Sequence, residues 1–466
     1  MPRRRRGRAA RPRGAGGRRV SDLATGEATE LLQQLIRNGC VNDGTPESGH
    51  EDRQVAVLCS YLDVPGAELE TFSKRPGRAN LVLRIEGRDR AAPTLVLMGH
   101  TDVVPANAEG WRRDPFGGEL VDGEVWGRGA VDMLNLTATM AVATKQLLRG
   151  GFRPRGTLVY LAVADEENEG IHGARFMTDE HWDRVRADYV ISENGGVRSD
   201  LPSTSDGLKL HLTVAEKGTQ WVKLRVRGTP GHGSAPYRSD NAVTKAARIV
   251  ARVAAYEPPI ALHDIWRRYV TAMAFPAELE RAFTDPERLD ASLASMPAGL
   301  AKLVHASTRN TLSPNVLRGG TKVNVIADEA IVEIDIRTLP DASRDAVRSL
   351  LQDAVGDLWT GVELLHESDN VSTASPSQTP LTDVLDRVTR SLLPEARLVP
   401  AMTVGATDNR FFRRKGAVAY GYGLMSPTLT MSQFRSMFHG RDERVHVESL
   451  RLSAELWERT AREFLG

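Results

Sequence analysis

Three short apolar runs constrain the fold more than any other feature: Thr94 to Met98 (TLVLM), Thr157 to Ala164 (TLVYLAVA) and Asp188 to Ser192 (DYVIS). Each has the length and β-branched content of a buried strand. Between the first two, Leu134 to Leu148 (LNLTATMAVATKQLL) is apolar over much of its surface and closes on Gly150 and Gly151, the pattern of a buried helix. Strand and helix in alternation predict an α/β layered sheet. From about residue 215 the texture changes. Gln220 to Val226 alternates in strand fashion, and from Ala330 to Leu339 the apolar Val332, Ile334 and Ile336 face one way while Glu333, Asp335 and Arg337 face the other. That pattern suits a half-exposed sheet. Asp341 to Val355 reads as an amphipathic helix and Val362 to Leu365 as a further strand, after which short apolar strands resume near 401–423. Residues 215–370 thus read as a smaller inserted α+β domain between segments 20–214 and 371–466, with 256–310 a helical stretch of no evident place.

The chemistry-bearing residues sit just beyond the apolar runs. His100 and Asp102 follow the first, Asp165, Glu166 and Glu167 the second, and Glu193 the third, while Asp132 lies in the loop before the buried helix. In open α/β sheets ligands bind where strands finish at their carboxyl ends, so this gathering signals function. Oxygen and imidazole donors suit zinc, cobalt or manganese. So many carboxylates on one rim would repel one another without a cation, and a pair of divalent ions is the simplest compensation.

Composition excludes several classes. The chain has 466 residues, with 61 Lys and Arg against 60 Asp and Glu, an ordinary globular balance. Nine of the arginines fall in the first 19 residues with no acid beside them, leaving 52 basic against 60 acidic residues in the body. The segment 1–19 is therefore read as a disordered basic tail, since Arg, Gly and Ala cannot offset the entropy of ordering. The body is net acidic, so no nucleic-acid partner is expected. Only two cysteines occur, Cys40 and Cys59, which suits a reducing, cytoplasmic compartment, and no apolar run is long enough to span a membrane.

MGHTDVVP (98–105), WGRGAVDM (126–133), ADEENEG (164–170), ISENGG (191–196), TPGHGSAP (229–236), NVIADEA (324–330), DIR (335–337), GATDNRFF (405–412) and MFHGRDERV (437–445) occur in that order. Together they resemble the dinuclear-zinc exopeptidases and deacylases, a family that includes carboxypeptidase G, aminoacylase, acetylornithine deacetylase and succinyl-diaminopimelate desuccinylase. The resemblance implies a mixed sheet flanked by helices, with the inserted domain serving as lid and dimerisation surface of a homodimer. It makes Asp132 the bridging carboxylate, with His100 and Glu193 completing one metal and Glu167 and His439 the other. Glu166 would be the general base, and Asp102 would hold the other ring nitrogen of His100. His232 would supply an oxyanion contact, and Asn324 and Arg337 would bind substrate, the guanidinium reading a free carboxylate. The family also holds the peptide after its bridging Asp in the cis form, here Asp132–Met133.

The implied activity is hydrolysis of an amide bond in small carboxylate-bearing peptides, of carboxypeptidase or dipeptidase kind. An N-acyl-amino-acid deacylase on the same site is the nearest alternative, and a catalytically silent metal- or peptide-binding protein is one of another class. Serine hydrolase and mononuclear metalloprotease chemistry are disfavoured, because neither G-x-S-x-G nor H-E-x-x-H occurs. Arg337 shares its strand face with Asp335 and Glu333, which equally allows a plain ion pair. Gly421, Tyr422 and Gly423 either line the substrate pocket or make a tight turn. Leu134 stands where many relatives carry Lys, and it bears on packing or substrate rather than on metals.

Overall fold

The computed structural model describes residues 15–340, 342–368 and 370–466. Helix α1 spans Ala15–Asn38. Of the segment read as a basic tail, residues 1–14 lie outside the described residues. The chain forms two compact units, one comprising residues up to Val185 with Leu424–Leu429 and Gln433–Gly466, the other Arg186–Gly423 with Thr430–Ser432.

In the first unit, strands β1 (Glu68–Ser73), β2 (Ala79–Ile85), β3 (Thr94–His100) and β4 (Thr157–Val163) form a mixed sheet in the order β1-β2-β4-β3. β1 and β2 pair antiparallel, as do β2 and β4, whereas β3 and β4 run parallel from Thr94 opposite Thr157 to His100 opposite Val163. The two parallel strands therefore end level. Helix α2 (Leu134–Arg149) is buried along almost its whole length and packs against β3, α1 and the helix Val447–Leu465. Its threonines cost little there because Thr139 and Thr144 return their hydroxyls to the carbonyls of Asn135 and Met140. Thr137 instead donates to the carbonyl of His100 at 2.8 Å. A Cβ at Gly99 would lie 2.4 Å from that hydroxyl, so only glycine admits this crossing. Leu134 is buried against Gly129 and so belongs to packing.

The second unit holds β5 (Tyr189–Ser192), β6 (Leu208–Glu216), β7 (Gly218–Arg227), β8 (Thr311–Gly319), β9 (Glu329–Thr338), β10 (Val362–Glu367), β11 (Ala396–Thr403) and β12 (Val418–Gly421). β12 lies parallel to β5 and meets β6, and β11 lies parallel to β6. These pairings draw β5, β11 and β12 into one body with residues 215–370, so this unit is wider than the insertion expected from sequence. Within it, β8-β9-β7-β10 form a separate four-stranded antiparallel sheet. The alternation read in β9 is realised: Val332, Ile334 and Ile336 are buried against helices Ala242–Ala255 and Arg344–Val355. The unplaced stretch 256–310 forms four helices, and its Trp266, Tyr269, Phe275 and Phe283 cluster with Val399 and Ala401 of β11. Its purpose in the fold is to cover that strand.

Lys217, between β6 and β7, is buried, and its Nζ donates to the carbonyls of Ala306 and Arg309 at 2.9 Å each, closing the last helix of that cluster. Burial brings its pKa down to about 7. The folded chain thus releases a proton near neutrality that the unfolded chain keeps to about pH 10.4. Between these values the unfolded state binds more protons, so this lysine makes stability rise with pH. The variant Lys217→Arg stays charged and lacks that contribution. The gap in Tm between wild type and variant is expected to widen from pH 7 to pH 10, and a constant gap in a melting series would contradict this.

Candidate metal centre and active site

Because β3 and β4 end level, His100 and the turn Asp165–Glu166–Glu167 emerge on the same edge of the first unit's sheet. His100 is buried, its Nε2 lying 3.2 Å from Oδ1 of Asp132. Its Nδ1 lies 3.0 Å from the backbone carbonyl of Asp102 and 3.5 Å from Oδ1 of that residue. Residue 102 therefore meets this ring nitrogen with both its carbonyl and its carboxylate. The Asp102 carboxylate has further partners: it accepts from the backbone N–H of Glu166 at 3.2 Å, from that of Glu167 at 3.1 Å and from Nδ2 of Asn42 at 2.9 Å. It fixes the turn that presents both glutamates.

The turn itself is a single 3-10 loop, Glu166–Asn168, bounded by Asp165 and Glu169 in the left-handed region. Asp165 is held by Asn42, which donates to both Asp102 and Asp165, and by the backbone N–H of His172. Behind them Arg78 is buried 2.6 Å from Glu51 and 3.5 Å from Asp165. Neither Asn42, Glu51 nor Arg78 falls within a recognised motif, and no local pattern marks them. Only the tertiary fold brings them beneath the turn.

Asp132 occupies the junction. Oδ1 faces His100, and Oδ2 lies 2.9 Å from Nε2 of His439, whose ring is also 3.2 Å from Oε2 of Glu167. The peptide Asp132–Met133 is cis, as the resemblance implied. His100, Asp132 and Glu167 each offer an atom within 4.8 Å of the others, and His100 and Glu166 lie within the same limit of one another. Oε1 of Glu167 is buried with no hydrogen-bond partner among the described residues. Two imidazoles and two carboxylates gathered in this way, one of them with a buried oxygen left over, are a donor set for a hard or borderline divalent cation.

The electrostatics agree. Burial disfavours a charged His100, yet its bonds to Asp102 and Asp132 lift its pKa well above the ordinary value. Burial likewise opposes charge on His439, and Asp132 and Glu167 overcome it, raising the pKa to about 10. Burial first and the Asp132 charge second push Glu167 up, whereas Asp132, despite burial, is held low by hydrogen bonds from His100 and His439. The field that holds protons on these two imidazoles, one buried at His100 and one half-exposed at His439, would equally hold cations.

In the second unit, Glu193 directly follows β5 and is buried. His232 lies in the exposed two-residue strand Gly231–His232, paired with Val325–Ile326, and Gly233 N–H donates to the carbonyl of Asn324 at 2.8 Å. The structure thus brings His232 and Asn324 together. It does not add Arg337, which sits at the far end of β9, opposite Thr219, roughly 30 Å of strand away by the usual rise. There its Nε donates to Asp335 at 2.8 Å and its Nη1 to Thr219 Oγ1 at 2.8 Å. The ion-pair alternative describes its contacts.

Residues 96–463 match peptidase family M20/M25/M40. The N-fatty-acyl-amino acid synthase/hydrolase of Xenopus tropicalis is 24% identical over 454 residues, covering 94% of this chain and 86% of that protein. The succinyl-diaminopimelate desuccinylase of Methylocella silvestris is 26% identical over 445 residues, covering 94% and 98%. The fold is similar to that of an M20 family metallo-carboxypeptidase from Sulfolobus solfataricus, with a TM-score of 0.72 at 16% identity over 94% of this chain and 99% of the other.

Asp132→Asn keeps the shape of the junction and removes its charge. Metal retained after desalting, measured by elemental analysis, is expected to fall by at least half with unchanged circular dichroism. Full retention would show that Asp132 holds no cation.

Proposed function

The chain belongs to peptidase family M20/M25/M40, metal-dependent hydrolases of amide bonds, and on that premise we propose that it cleaves small carboxylate-bearing peptides in the manner of a carboxypeptidase or dipeptidase. The observation that carries the reading is the division of one carboxylate, Asp132, between His100 and His439. We assign two cations, zinc first and cobalt or manganese as alternatives, to this cluster: His100, Asp132 and Glu193 for one, Asp132, Glu167 and His439 for the other. Such ions, when bound, acidify a water ligand and polarise the scissile carbonyl.

The residues of the chain do the rest. Glu166 takes the proton of the attacking water on its carboxylate and delivers it to the departing amine nitrogen, so the C–N bond breaks without a charged amide leaving group. Asp102 holds the Glu166 backbone while that side chain works. His232 and Asn324, side by side on an exposed ribbon, provide the contact to the oxyanion. Arg337 is assigned to its partners Asp335 and Thr219 rather than to substrate.

A deacylase reading has its own support. Tyr237, Val323 and Val325 are exposed in the segments bearing His232 and Asn324, offering apolar surface to an acyl chain, and the relatives named above act on acylated amino compounds by name. Dimerisation through the four-stranded sheet's domain and a cytoplasmic location belong to the same proposal, the latter resting on two unpaired cysteines. No helix among the described residues is long and apolar enough to cross a membrane.

Glu166→Gln is expected to lower kcat by about 10²- to 10⁴-fold with metal content intact. Full turnover would refute the base assignment. Rates on dipeptides beside N-acetyl, N-succinyl and longer N-acyl amino acids distinguish the two substrate classes, the peptidase reading requiring that dipeptides be turned over fastest.

A further inference from the structure

Glu443 and Arg128 form a fully buried ion pair that no step above uses. Oε2 of Glu443 lies 2.7 Å from Nη1 of Arg128, and both side chains are almost wholly inaccessible, at 0% and 3% exposure. The other oxygen, Oε1, accepts two backbone N–H groups, that of Val131 at 2.8 Å and that of Asp132 at 3.1 Å. Nη2 of Arg128 donates to the carbonyl of Gly440 at 2.9 Å, and Gly127 N–H donates to the carbonyl of Glu443. The pair therefore reaches the backbone on both sides of the centre: the peptide entering Asp132, and the residue following His439.

His439 is in the left-handed region, and a Cβ at Gly440 would lie 2.1 Å from the Ser436 carbonyl, so this loop is tightly turned just where Arg128 holds it. Segments 124–126 and 444–446 also pair as antiparallel strands, Trp126 opposite Arg444. Strand pairing sets the two segments side by side, but it stops short of both ligands. From there on, the Glu443 and Arg128 side chains carry the alignment.

A buried ion pair adds little net stability, and apolar substitutes of similar volume are often as good. What an apolar pair could not do is accept two amides and grip a carbonyl at once. We infer that Glu443 and Arg128 are positioning residues that set the separation of Asp132 and His439, and so the affinity of the cation that those two share with Glu167. The inference rests on the metal assignment made above. It adds that this cation, more than the one shared by His100, depends on the pair.

The test is zinc titration of the full-length apo-protein against a chromogenic chelator, alongside cobalt absorption spectra and thermal melts of the metal-free forms. Glu443→Gln cannot serve both amides and Arg128 with acceptors, and Arg128→Lys can reach only one of its two partners. In each variant one of the two zinc equivalents is expected to lose about 10- to 100-fold in affinity, the range for groups that support metal ligands. The other equivalent should move by less than threefold, the cobalt spectrum should change, and excess zinc should restore turnover. Wild-type affinity for both equivalents in either folded variant would overturn the inference. So would a fall in the melting temperature of metal-free protein with no change in zinc binding, since that is the signature of a purely structural pair. If Glu443→Gln does not fold, Arg128→Lys alone decides between these results. Failure of the wild type to bind two equivalents would instead overturn the metal assignment itself.

Discussion

Four carboxylates, those of Asp102, Asp132, Glu166 and Glu167, lie with two imidazoles at one edge of a sheet, and their mutual repulsion is the constraint around which the first unit is organised. Buried like charges are expensive unless met by hydrogen-bond donors or cations. Three of the four have different answers. Asp102 is satisfied by two backbone amides and Asn42. Asp132 meets an imidazole on each oxygen, and Glu167 meets only one, leaving its second oxygen without a protein partner. This graded satisfaction separates a scaffold carboxylate from ligands.

The scaffold is made of equal-length parallel strands and side chains that bind backbone rather than substrate. Level strand ends put His100 and the glutamate turn on one edge. Asn42 ties Asp102 to Asp165, and Arg78 with Glu51 backs the turn from below. Thr137 secures the end of β3 from the helix behind it. Rigid support of this kind keeps ligand atoms close enough for shared coordination, because a displacement of about 1 Å is enough to impair a preorganised site.

Much of this was legible in the chain itself. The apolar runs announced β3, β4 and β5, and the alternation of Val332, Ile334 and Ile336 announced a sheet with one covered face. His100, Asp132, Glu167 and His439, which the structure brings together, were marked in the chain because each is a particular chemical type at a strand end or in a recognised motif. Arg337 was ambiguous, since strand alternation places it beside both Asp335 and the solvent-facing surface, and sequence alone cannot choose between an ion pair and a substrate contact. Asn42, Glu51 and Arg78 were invisible because polar residues that act only through tertiary hydrogen bonds leave no periodic trace. Arg128 and Glu443 stood inside recognised motifs, but their pairing across more than 300 residues required the fold. The helices of 256–310 were likewise unreadable in role, their apolar faces being matched to β11, a strand about 100 residues later.

The central claim is that Asp132 joins two cations held otherwise by nitrogen and oxygen donors. X-ray absorption at the zinc K-edge of protein loaded with two equivalents tests it most directly. A shell of nitrogen and oxygen ligands with a metal–metal distance of roughly 3.5–4 Å is the expected result. A spectrum with sulfur ligation, or with isolated zinc and no metal–metal scattering, would contradict the account.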